Sequence, residues 1–526
     1  MSDKENIRPK KYLLYLINPK QKYVNYYGQT ELSKLLGVKK FMIPLSIPMV
    51  ASLTPDNYDI RIIDEDYQKL PAVRPDIVGI SSLASTINRS YALADHYRSI
   101  GVKVVLGGPY VSFKTEEALL HADSIIVGEA EGLWEKCLAD FENGSMHAIY
   151  RTDEYIRFDK IKPPRWELID KKNFFQVGVQ VSRGCPYNCE FCLVTQLFGR
   201  KMRYREIDNV IAEIESLPVK KLLFVDDNLT VNKRYARELM ARLKPLKISW
   251  GCMSSIEIAN DTELLKEMAE AGCFNILIGF ESLNVESLNE THKDQNKSAS
   301  VYRDAIQKIH AAGLHITASF VIGFDNDTVD EFDRIYRFTQ ETGLTYINFN
   351  ILGAPPGTEL YYRLKKEGRI YDIDPEMISG LFPCMHYNKM SQTELFDNYI
   401  ATLEKMYSYK SLHEKAVVLF GNGSFQKAYN DGSPSFGFKA KLVFWLLKEY
   451  IFTTDADKRQ LFRYIISLIR GKKVVIDMGL SFLISMISYN RHIAKLRANI
   501  NHYRQLISKY DLGPWEKLEQ KPVPHD

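Results

Sequence analysis

Three cysteines stand close together in VSRGCPYNCEFC, the segment covering residues 181–192. Cys185, Cys189 and Cys192 follow a C-x3-C-x2-C spacing, with a glycine before the first and Phe191 before the last. Thiolates favour zinc, copper(I) and iron–sulfur clusters. A structural zinc site takes four ligands, and no nearby cysteine or histidine completes that set. Three thiolates suit a [4Fe–4S] cluster, because they hold three irons and leave the fourth open to an exogenous ligand.

Basic residues flank this loop on both sides. Two interpretations stay open: they offset the negative charge of a thiolate-ligated cluster, or they form a solvated face. The five residues are Arg183, Arg200, Lys201, Arg203 and Arg205.

Composition restricts the classes of protein to which the chain can belong. Its 526 residues suffice for two or three domains, and 45% hydrophobic with 25% charged residues is typical of globular proteins. A net charge of +4 predicts no nucleic-acid partner. Seven cysteines form no disulfide framework and favour a reducing cytoplasm. The longest apolar run near the C-terminus, residues 474–487, is too short to span a bilayer of about 30 Å. We therefore expect a cytoplasmic protein.

The first 140 residues alternate apolar runs with a helical pattern. Runs such as KYLLYLINP, DIVGISSL and VKVVLGGP predict buried strands of a parallel sheet with helices on both faces. Ligands of such sheets lie beyond the carboxyl ends of the strands. Those ends carry Ser81, Ser82, the pair Gly107–Gly108 and the pair Gly128–Glu129. The glycines either let a ligand approach the backbone or serve tight turns alone. No G-x-G-x-x-G or Walker A segment supports a nucleotide.

A second alternating region follows and places the cysteines. Six strand–helix units between residue 173 and about residue 355 predict a partial (β/α)6 barrel, with the cysteine loop directly after its first strand. The later residues read as helices, one of them beginning at an N-cap Ser391. The predicted organisation is α/β throughout: a Rossmann-like domain, a linker, a barrel and a helical region, at residues 1–145, 146–172, 173–370 and 371–526.

The cysteine spacing after the first strand of a βα barrel resembles the radical S-adenosylmethionine superfamily. The resemblance implies that the open iron binds the amino and carboxylate groups of S-adenosylmethionine. One electron from the reduced cluster then generates a 5′-deoxyadenosyl radical. The positions that it implies as S-adenosylmethionine contacts are Phe191, Asp226, Asp227, Glu281, Ser282 and Gly323.

The N-terminal domain narrows the resemblance. A flavodoxin-like domain containing VLGGPYVS and VGEAE, joined to such a barrel, resembles the cobalamin (B12)-binding members, which include hopanoid methylases and the anaerobic magnesium-protoporphyrin ester cyclase. The similarity covers residues 11 to about 410. The D-x-H-x-x-G signature that supplies a lower histidine ligand to cobalt in other B12 proteins is absent. The positions implied as cobalamin contacts are Ser81, Ser82, Thr86, Gly107, Gly108, Pro109, Gly128 and Glu129.

The resemblance implies cobalamin-dependent methylation of an unactivated carbon in a lipid-like or tetrapyrrole substrate, with a flavodoxin- or ferredoxin-type electron donor. Radical cyclisation or carbon–carbon coupling without methyl transfer is one alternative. An iron–sulfur electron-transfer protein and a zinc-stabilised interaction module are others. The apolar segments of residues 436–490, with GKK at 471–473, predict either peripheral contact with a membrane or a helical cap over the barrel.

Overall fold

The computed structural model describes most of the chain and contains two parallel sheets with helices around them. The described residues are 11–23, 30–42, 44–217, 219–293, 298–422 and 436–518.

The first sheet has six parallel strands in the order β3-β1-β4-β5-β6-β7. The strands are β1 (Tyr12–Asn18), β3 (Tyr58–Asp64), β4 (Ile77–Ser81), β5 (Lys103–Gly107), β6 (Ser124–Val127) and β7 (Ile149–Arg151). On β1, Leu14 and Leu16 pack into the core on one face, and Tyr15 and Ile17 pack into the core on the other. Because both faces are buried, the strand reads as a continuous apolar run rather than an alternating one. The predicted Rossmann-like domain is confirmed.

The second sheet has seven parallel strands in the order β15-β14-β13-β12-β11-β8-β2. The strands are β2 (Lys40–Met42), β8 (Phe174–Val179), β11 (Lys221–Phe224), β12 (Ser249–Ser254), β13 (Cys273–Glu281), β14 (His315–Ile322) and β15 (Tyr346–Ile351). β15 and β2 are the two edges and do not pair with each other, so the sheet forms a half-barrel. This confirms the six predicted βα strands.

Two short strands differ from the predicted organisation. Strand β2 comes from the segment assigned to the N-terminal domain but pairs with β8 of the second sheet, through Lys40–Phe174 and Met42–Gln176. Strand β7 lies within the predicted linker and pairs with β6 of the first sheet. Each is three residues long. A strand of that length shows no periodicity in sequence.

Helices cover the sheets, and a short antiparallel pair, β9 (Ser182–Arg183) with β10 (Arg203–Tyr204), brackets the cysteine loop. The helices are α1 (Thr30–Leu36), α2 (Ser46–Leu53), α3 (Ile87–Ser99), α4 (Pro109–Phe113), α5 (Thr115–His121), α6 (Leu133–Glu142), α7 (Val194–Phe198), α8 (Ile207–Ser216), α9 (Lys233–Leu243), α10 (Thr262–Glu270), α11 (Val285–Glu290), α12 (Ala299–Ala311), α13 (Asp330–Thr342), α14 (Glu359–Lys366), α15 (Gln392–Met406), α16 (Tyr409–Asn422), α17 (Phe436–Ile451), α18 (Ala456–Arg470), α19 (Ile476–Ala498), α20 (Ile500–Ser508) and α21 (Trp515–Leu518).

The C-terminal helices pack on the β15 edge of the half-barrel. Two tyrosines of this region donate hydrogen bonds to β15 carbonyls, Tyr399 to Phe349 at 2.9 Å and Tyr407 to Ile347 at 2.7 Å. Helix α15 begins as predicted, with the Ser391 hydroxyl accepting the Glu394 N–H. Within the described ranges, no helix is both long and apolar enough to cross a membrane.

Candidate functional site

The cysteine loop follows β8 and is closed by β9 and β10. The Cys185 N–H donates to the Gly199 carbonyl at 3.3 Å, and the Cys192 N–H donates to the Cys189 carbonyl at 3.0 Å. Gly184 has a φ of +95°, and a Cβ there would lie 2.6 Å from the Lys201 carbonyl oxygen. The glycine before the first cysteine is therefore required by both its backbone conformation and its neighbour.

Each of the three loop cysteines is half-buried, and none forms a disulfide with another described residue. Burial raises the pKa of Cys185, and it raises the pKa of Cys192 to about 12. Iron binds thiolates, so loading the site must release protons. Among the described residues, no three Cys, His, Asp or Glu side chains converge to hold a single metal ion. Three cysteine side chains that do not converge on one point fit a cubic [4Fe–4S] cluster, because each thiolate then binds a different iron.

Asp226 and Asp227 follow β11, and Asp226 binds the start of the cysteine loop. One Asp226 oxygen accepts hydrogen bonds from the Val181 N–H at 3.0 Å, the Ser182 hydroxyl at 2.7 Å and the Ser182 N–H. Burial raises the pKa of Asp226 to about 7 and that of Asp227 to about 6. The Oδ2 atoms of both are buried and have no hydrogen-bond partner among the described residues. Asp226 therefore anchors the start of the cysteine loop, and Asp227 has an oxygen free for a ligand.

Glu281 lies at the end of β13, where the register with β14 shifts. It adopts a left-handed φ of +62°, which is uncommon for a residue with a side chain. Its carboxylate pairs with the buried ammonium of Lys293, Oε1 to Nζ, at 2.6 Å. The neighbouring Ser282 hydroxyl accepts the Asn284 N–H at 2.9 Å and so serves the local turn. Lys293 is a site residue that sequence reasoning missed.

Phe191 of the loop faces the end of β14. Its ring centroid lies 6.0 Å from that of Phe324. Gly323 has a φ of +108°, and a Cβ there would stand 2.8 Å from the ring of Tyr387. The buried Asp327 accepts the N–H groups of Gly323 and Phe324 at 3.0 and 3.1 Å. These contacts fix an apolar cradle beside the cysteines.

An ionic network also holds the loop from helix α14, and the sequence does not reveal it. Arg363 donates to both carboxylate oxygens of Glu190, at 2.6 and 3.1 Å, and to Asp325 at 3.0 Å. Glu190 stands between Cys189 and Cys192, and Asp325 directly follows Phe324, so one guanidinium joins the cysteine loop to the end of β14.

The strand ends of the first sheet combine close packing with open space. Gly108 has a φ of +106°, and a Cβ there would overlap the carbonyl oxygen of Ser82. The Ser82 hydroxyl is buried and finds no hydrogen-bond partner in the described part of the chain. A Cβ on Gly128, which has a φ of +85°, would meet no atom within 4 Å. The open space and the unpaired hydroxyl fit a ligand laid across these strand ends.

The other predicted positions of this edge serve the loops themselves. The Thr86 hydroxyl accepts the Leu83 N–H at 3.1 Å, and the Ser81 and Ser46 hydroxyls lie 3.2 Å apart. Gly107 ends β5, and Pro109 begins α4.

The carboxyl edges of the two sheets meet. Glu129, after β6, pairs with Arg183 and Arg203, each at 2.8 Å. A Cβ on Gly357, before α14, would overlap the ring of Phe113 at the end of α4. The cysteine loop therefore lies beside the loops of the first sheet.

The basic residues flanking the cysteines are mostly engaged. Arg183, Arg203 and Arg205 are largely buried and paired with carboxylates, Arg205 with Glu213 at 2.6 Å. Arg200 donates to the Pro186 carbonyl at 3.1 Å. Arg183, Arg203 and Arg205 thus join segments of the fold, whereas Arg200 and Lys201 are exposed to solvent.

Three family profiles match the chain. The Radical SAM superfamily matches residues 179–339, and the B12 binding domain matches residues 36–138. A domain of unknown function, DUF4070, matches residues 358–504, so the helical region is part of a recognised domain.

Curated relatives cover most of the two sheets. Bacteriochlorophyllide d C-12(1)-methyltransferase of Chlorobaculum tepidum is 27% identical over 74% of this chain and 88% of its own length. Bacteriochlorophyllide d C-8(2)-methyltransferase of the same organism is 30% identical over 65% and 80%. Hopanoid C-2 methylase of Rhodopseudomonas palustris is 26% identical over 67% and 70%.

Among solved structures, the cobalamin-dependent S-adenosylmethionine radical enzyme OxsB with aqua-cobalamin and S-adenosylmethionine bound has a TM-score of 0.57. It is 13% identical, and the alignment covers 95% of this chain and 83% of OxsB. This likeness supports the order and the packing of both sheets.

Proposed function

Because the chain belongs to the cobalamin-binding radical S-adenosylmethionine enzymes, we propose that it transfers a methyl group to an unactivated carbon of a hydrophobic substrate. The observation that carries the proposal is that the carboxyl edges of the two sheets meet. The second sheet carries the cysteine loop at this edge, and the first sheet carries the loop with the open space at Gly128. A carbon radical formed beside the cysteine loop would thus lie near a methyl donor beside Gly128.

The cofactors are a [4Fe–4S] cluster, S-adenosylmethionine and cobalamin. Together they supply a carbon-centred radical, which abstracts hydrogen, and a carrier of the methyl group. Cys185, Cys189 and Cys192 would hold three irons. Phe191 and Phe324 would pack against the adenine of S-adenosylmethionine, which their cradle would also shield from water.

Polar groups around the cysteines would orient S-adenosylmethionine. The unpaired oxygen of Asp227 and the carboxylate of Glu281 are the acceptors for its ammonium and hydroxyl groups. Lys293 holds the Glu281 side chain in place, and Asp327 holds the backbone of Gly323 and Phe324. The first sheet would bind cobalamin at Ser82 and Gly128.

The hydrophobic substrate is inferred from the relatives, whose names specify bacteriochlorophyllides and a hopanoid. Radical S-adenosylmethionine enzymes need a reductant. For this chain we propose a flavodoxin- or ferredoxin-type protein that delivers the electron to the cluster.

A membrane surface would give access to such a substrate, and helix α17 carries a face for it. Four large apolar side chains are exposed along this helix and directly after it: Phe444, Leu447, Ile451 and Phe452. They are three, four and one residues apart, and Phe444 is 71% and Phe452 81% exposed. The opposite side is buried, and the Tyr450 hydroxyl donates to the Leu483 carbonyl at 2.8 Å. The inner face therefore covers the protein, and the outer face is exposed to solvent among the described residues.

Charge favours an anionic bilayer as the occupant of this outer face. Residues 436–480 contain nine basic and four acidic side chains, and Lys448, Lys472 and Lys473 are exposed. Such residues contribute roughly 1 kcal/mol each when they lie near an anionic surface. We propose that α17 rests on the membrane without spanning it.

The methylation proposal is tested with anaerobically reconstituted protein. Iron, sulfide and corrin per chain are measured first. The protein is then incubated with S-adenosylmethionine carrying a labelled methyl group, a chemical reductant and either hopanoid lipids or chlorophyll-type tetrapyrroles. Label in the organic phase, absent with Cys185→Ala, is the expected result.

Other outcomes separate the alternatives. An oxidised or coupled product without the label supports radical cyclisation or carbon–carbon coupling. Electron transfer without cleavage of S-adenosylmethionine supports an iron–sulfur carrier, and zinc in place of iron supports an interaction module.

A further inference from the structure

Four charged side chains form a buried cluster between the two sheets. Arg183 donates to Glu129 and to Glu131 from its two terminal nitrogens, at 2.8 Å each, and Arg203 reaches the second oxygen of Glu129 at 2.8 Å. Each side chain is at most 12% exposed. We call Glu129, Glu131, Arg183 and Arg203 the inter-sheet ion cluster.

The location of the inter-sheet ion cluster connects the two cofactor sites. The two glutamates belong to the loop after β6, next to the open space at Gly128. Arg183 ends β9, two residues before Cys185, and Arg203 begins β10, which pairs with β9. A shift of either loop relative to the other would break at least one of these ion pairs.

Aromatic rings restrict the arginines further. The Arg183 guanidinium carbon lies 4.7 Å from the Phe158 ring centroid and 5.6 Å from that of Phe198. The Arg203 guanidinium lies 5.0 Å from the Tyr155 ring centroid. Planar contacts of this kind, added to forked hydrogen bonds, fix the orientation of an arginine far better than a single ion pair does.

Glu129 is saturated in this arrangement. One oxygen accepts from Arg183, and the other accepts from Arg203 and from the Ile156 N–H at 3.3 Å. The sequence predicts Glu129 as a cobalamin contact, but its carboxylate is directed at the arginines of the other sheet. Two positive and two negative charges balance, so removal of one carboxylate leaves a buried guanidinium uncompensated.

We propose that the inter-sheet ion cluster is a positioning device that sets the distance between the corrin and the iron–sulfur cluster, with Glu129 as its central residue. The proposal rests on the proposed function, because it takes corrin to bind beside Gly128. Glu129 acts through Arg183 on the cysteine loop and is not a ligand of either cofactor.

The test measures the cofactor separation directly. In holoenzyme with both cofactors paramagnetic, pulsed dipolar spectroscopy gives the cobalt-to-cluster distance distribution. Glu129→Gln is expected to widen that distribution about twofold while iron and corrin content stay at wild-type values. Glu116→Gln, an exposed change on α5 of the same domain, is expected to leave it unchanged.

A second variant guards against misfolding. Glu129→Gln combined with Arg203→Gln restores charge balance and leaves the Arg183–Glu131 pair intact. It should raise the thermal midpoint above that of Glu129→Gln alone and still show the wide distribution.

Three results would overturn the proposal or its premise. An unchanged distribution in both variants removes the positioning role. Loss of corrin with Glu129→Gln, but not with Arg203→Gln, makes Glu129 a cobalamin ligand. Wild-type protein that binds no corrin refutes the proposed function itself.

Discussion

Gly108 and Gly128 share a left-handed backbone conformation but differ in their surroundings. A side chain on Gly108 would strike the Ser82 backbone, so that glycine is required by the protein alone. A side chain on Gly128 would project into open space at the strand ends. The positive φ disfavours a side chain at both glycines, but only at Gly128 would a side chain occupy space that a ligand could fill.

Gly128→Leu should lower the corrin retained after gel filtration by at least tenfold, because the side chain enters the space assigned to the ligand. Gly144→Leu is the matched control: Gly144 has a φ of +70° and open surroundings, but it follows α6, away from the strand ends. Equal retention by the two variants would contradict the assignment.

Under the proposed function, alanine at Cys185, Cys189 or Cys192 should abolish the bound iron and the cleavage of S-adenosylmethionine, because each cysteine would hold a separate iron. The other four cysteines, Cys137, Cys252, Cys273 and Cys384, are buried and serve packing. Alanine at any of these should keep the iron content. Iron lost only on replacing Cys384 would move the site elsewhere.

Asp327 makes the stability of the cradle depend on pH. Burial raises its pKa from 3.8 to about 7, so the folded state holds the proton that the unfolded state releases. This contribution to stability is present below pH 4 and is lost as the pH rises towards 7. Asp327→Asn should remove that fall in the thermal midpoint between pH 5 and 7, whereas Asp327→Ala should lower the midpoint throughout. If the thermal midpoints of the wild type and of Asp327→Asn changed with pH in parallel, Asp327 would not be the source of the pH dependence.

The sequence predicts the roles of the three cysteines and of their aromatic neighbour, because all of them belong to one short segment. It does not reveal Lys293 or Arg363, because their partners Glu281 and Glu190 lie 12 and 173 residues away along the chain. Nothing local marks such a charge as paired. The same limit made the arginines around the loop ambiguous, since only the fold brings Glu129 and Glu213 to them.

At the scale of elements, helix α14 joins three parts of the molecule. Arg363 binds the cysteine loop and the end of β14, and Tyr361 lies 5.6 Å from the Lys114 ammonium of the first domain, measured to its ring centroid. Gly357, just before the helix, packs on Phe113. Thr358 caps the N-terminus of the helix, because its hydroxyl accepts the Tyr361 N–H at 3.1 Å.

Arg363→Gln should release the cysteine loop, because hydrogen bonds between charged groups contribute about 1.5–3 kcal/mol. We expect faster loss of iron under air and at least tenfold weaker S-adenosylmethionine binding. Arg363→Lys should restore only part of both, since an ammonium cannot form the two-pronged pair. Arg337→Gln, at an exposed position of α13, is the control. Wild-type behaviour of Arg363→Gln would remove the helix from the site.

The exposed face of helix α17 predicts that the protein binds anionic vesicles. Phe452→Ser should weaken flotation with anionic vesicles about tenfold or more, because burying a phenylalanine contributes about 1.5–3 kcal/mol. Leu120→Ser, at a 74% exposed position of α5, should leave it unchanged. Moderate salt should weaken wild-type binding by screening the lysines. Wild-type protein that stays with the unbound fraction at low salt would refute membrane contact.

At the scale of the whole molecule, the chain passes between the two sheets more than once. β1 lies in the first sheet, β2 in the second, and β3 returns to the first before β8 begins the half-barrel. Periodicity predicts the long strands of both sheets correctly. It gives no signal for β2 and β7, so the interlocking of the domains is a property of the fold that no local pattern encodes.

The strand β2 has a consequence for how the protein is made. On the ribosome, Lys40–Met42 emerge more than 130 residues before their partner Phe174–Gln176. Until then this strand lacks β8, the strand with which it pairs. A fragment starting after the linker would lack β2, so the edge of β8 would present unpaired backbone N–H and C=O groups. Such an edge can pair with a strand of another copy. The half-barrel therefore takes one edge strand from the N-terminal segment, so its sheet is complete only when both regions are present in one chain.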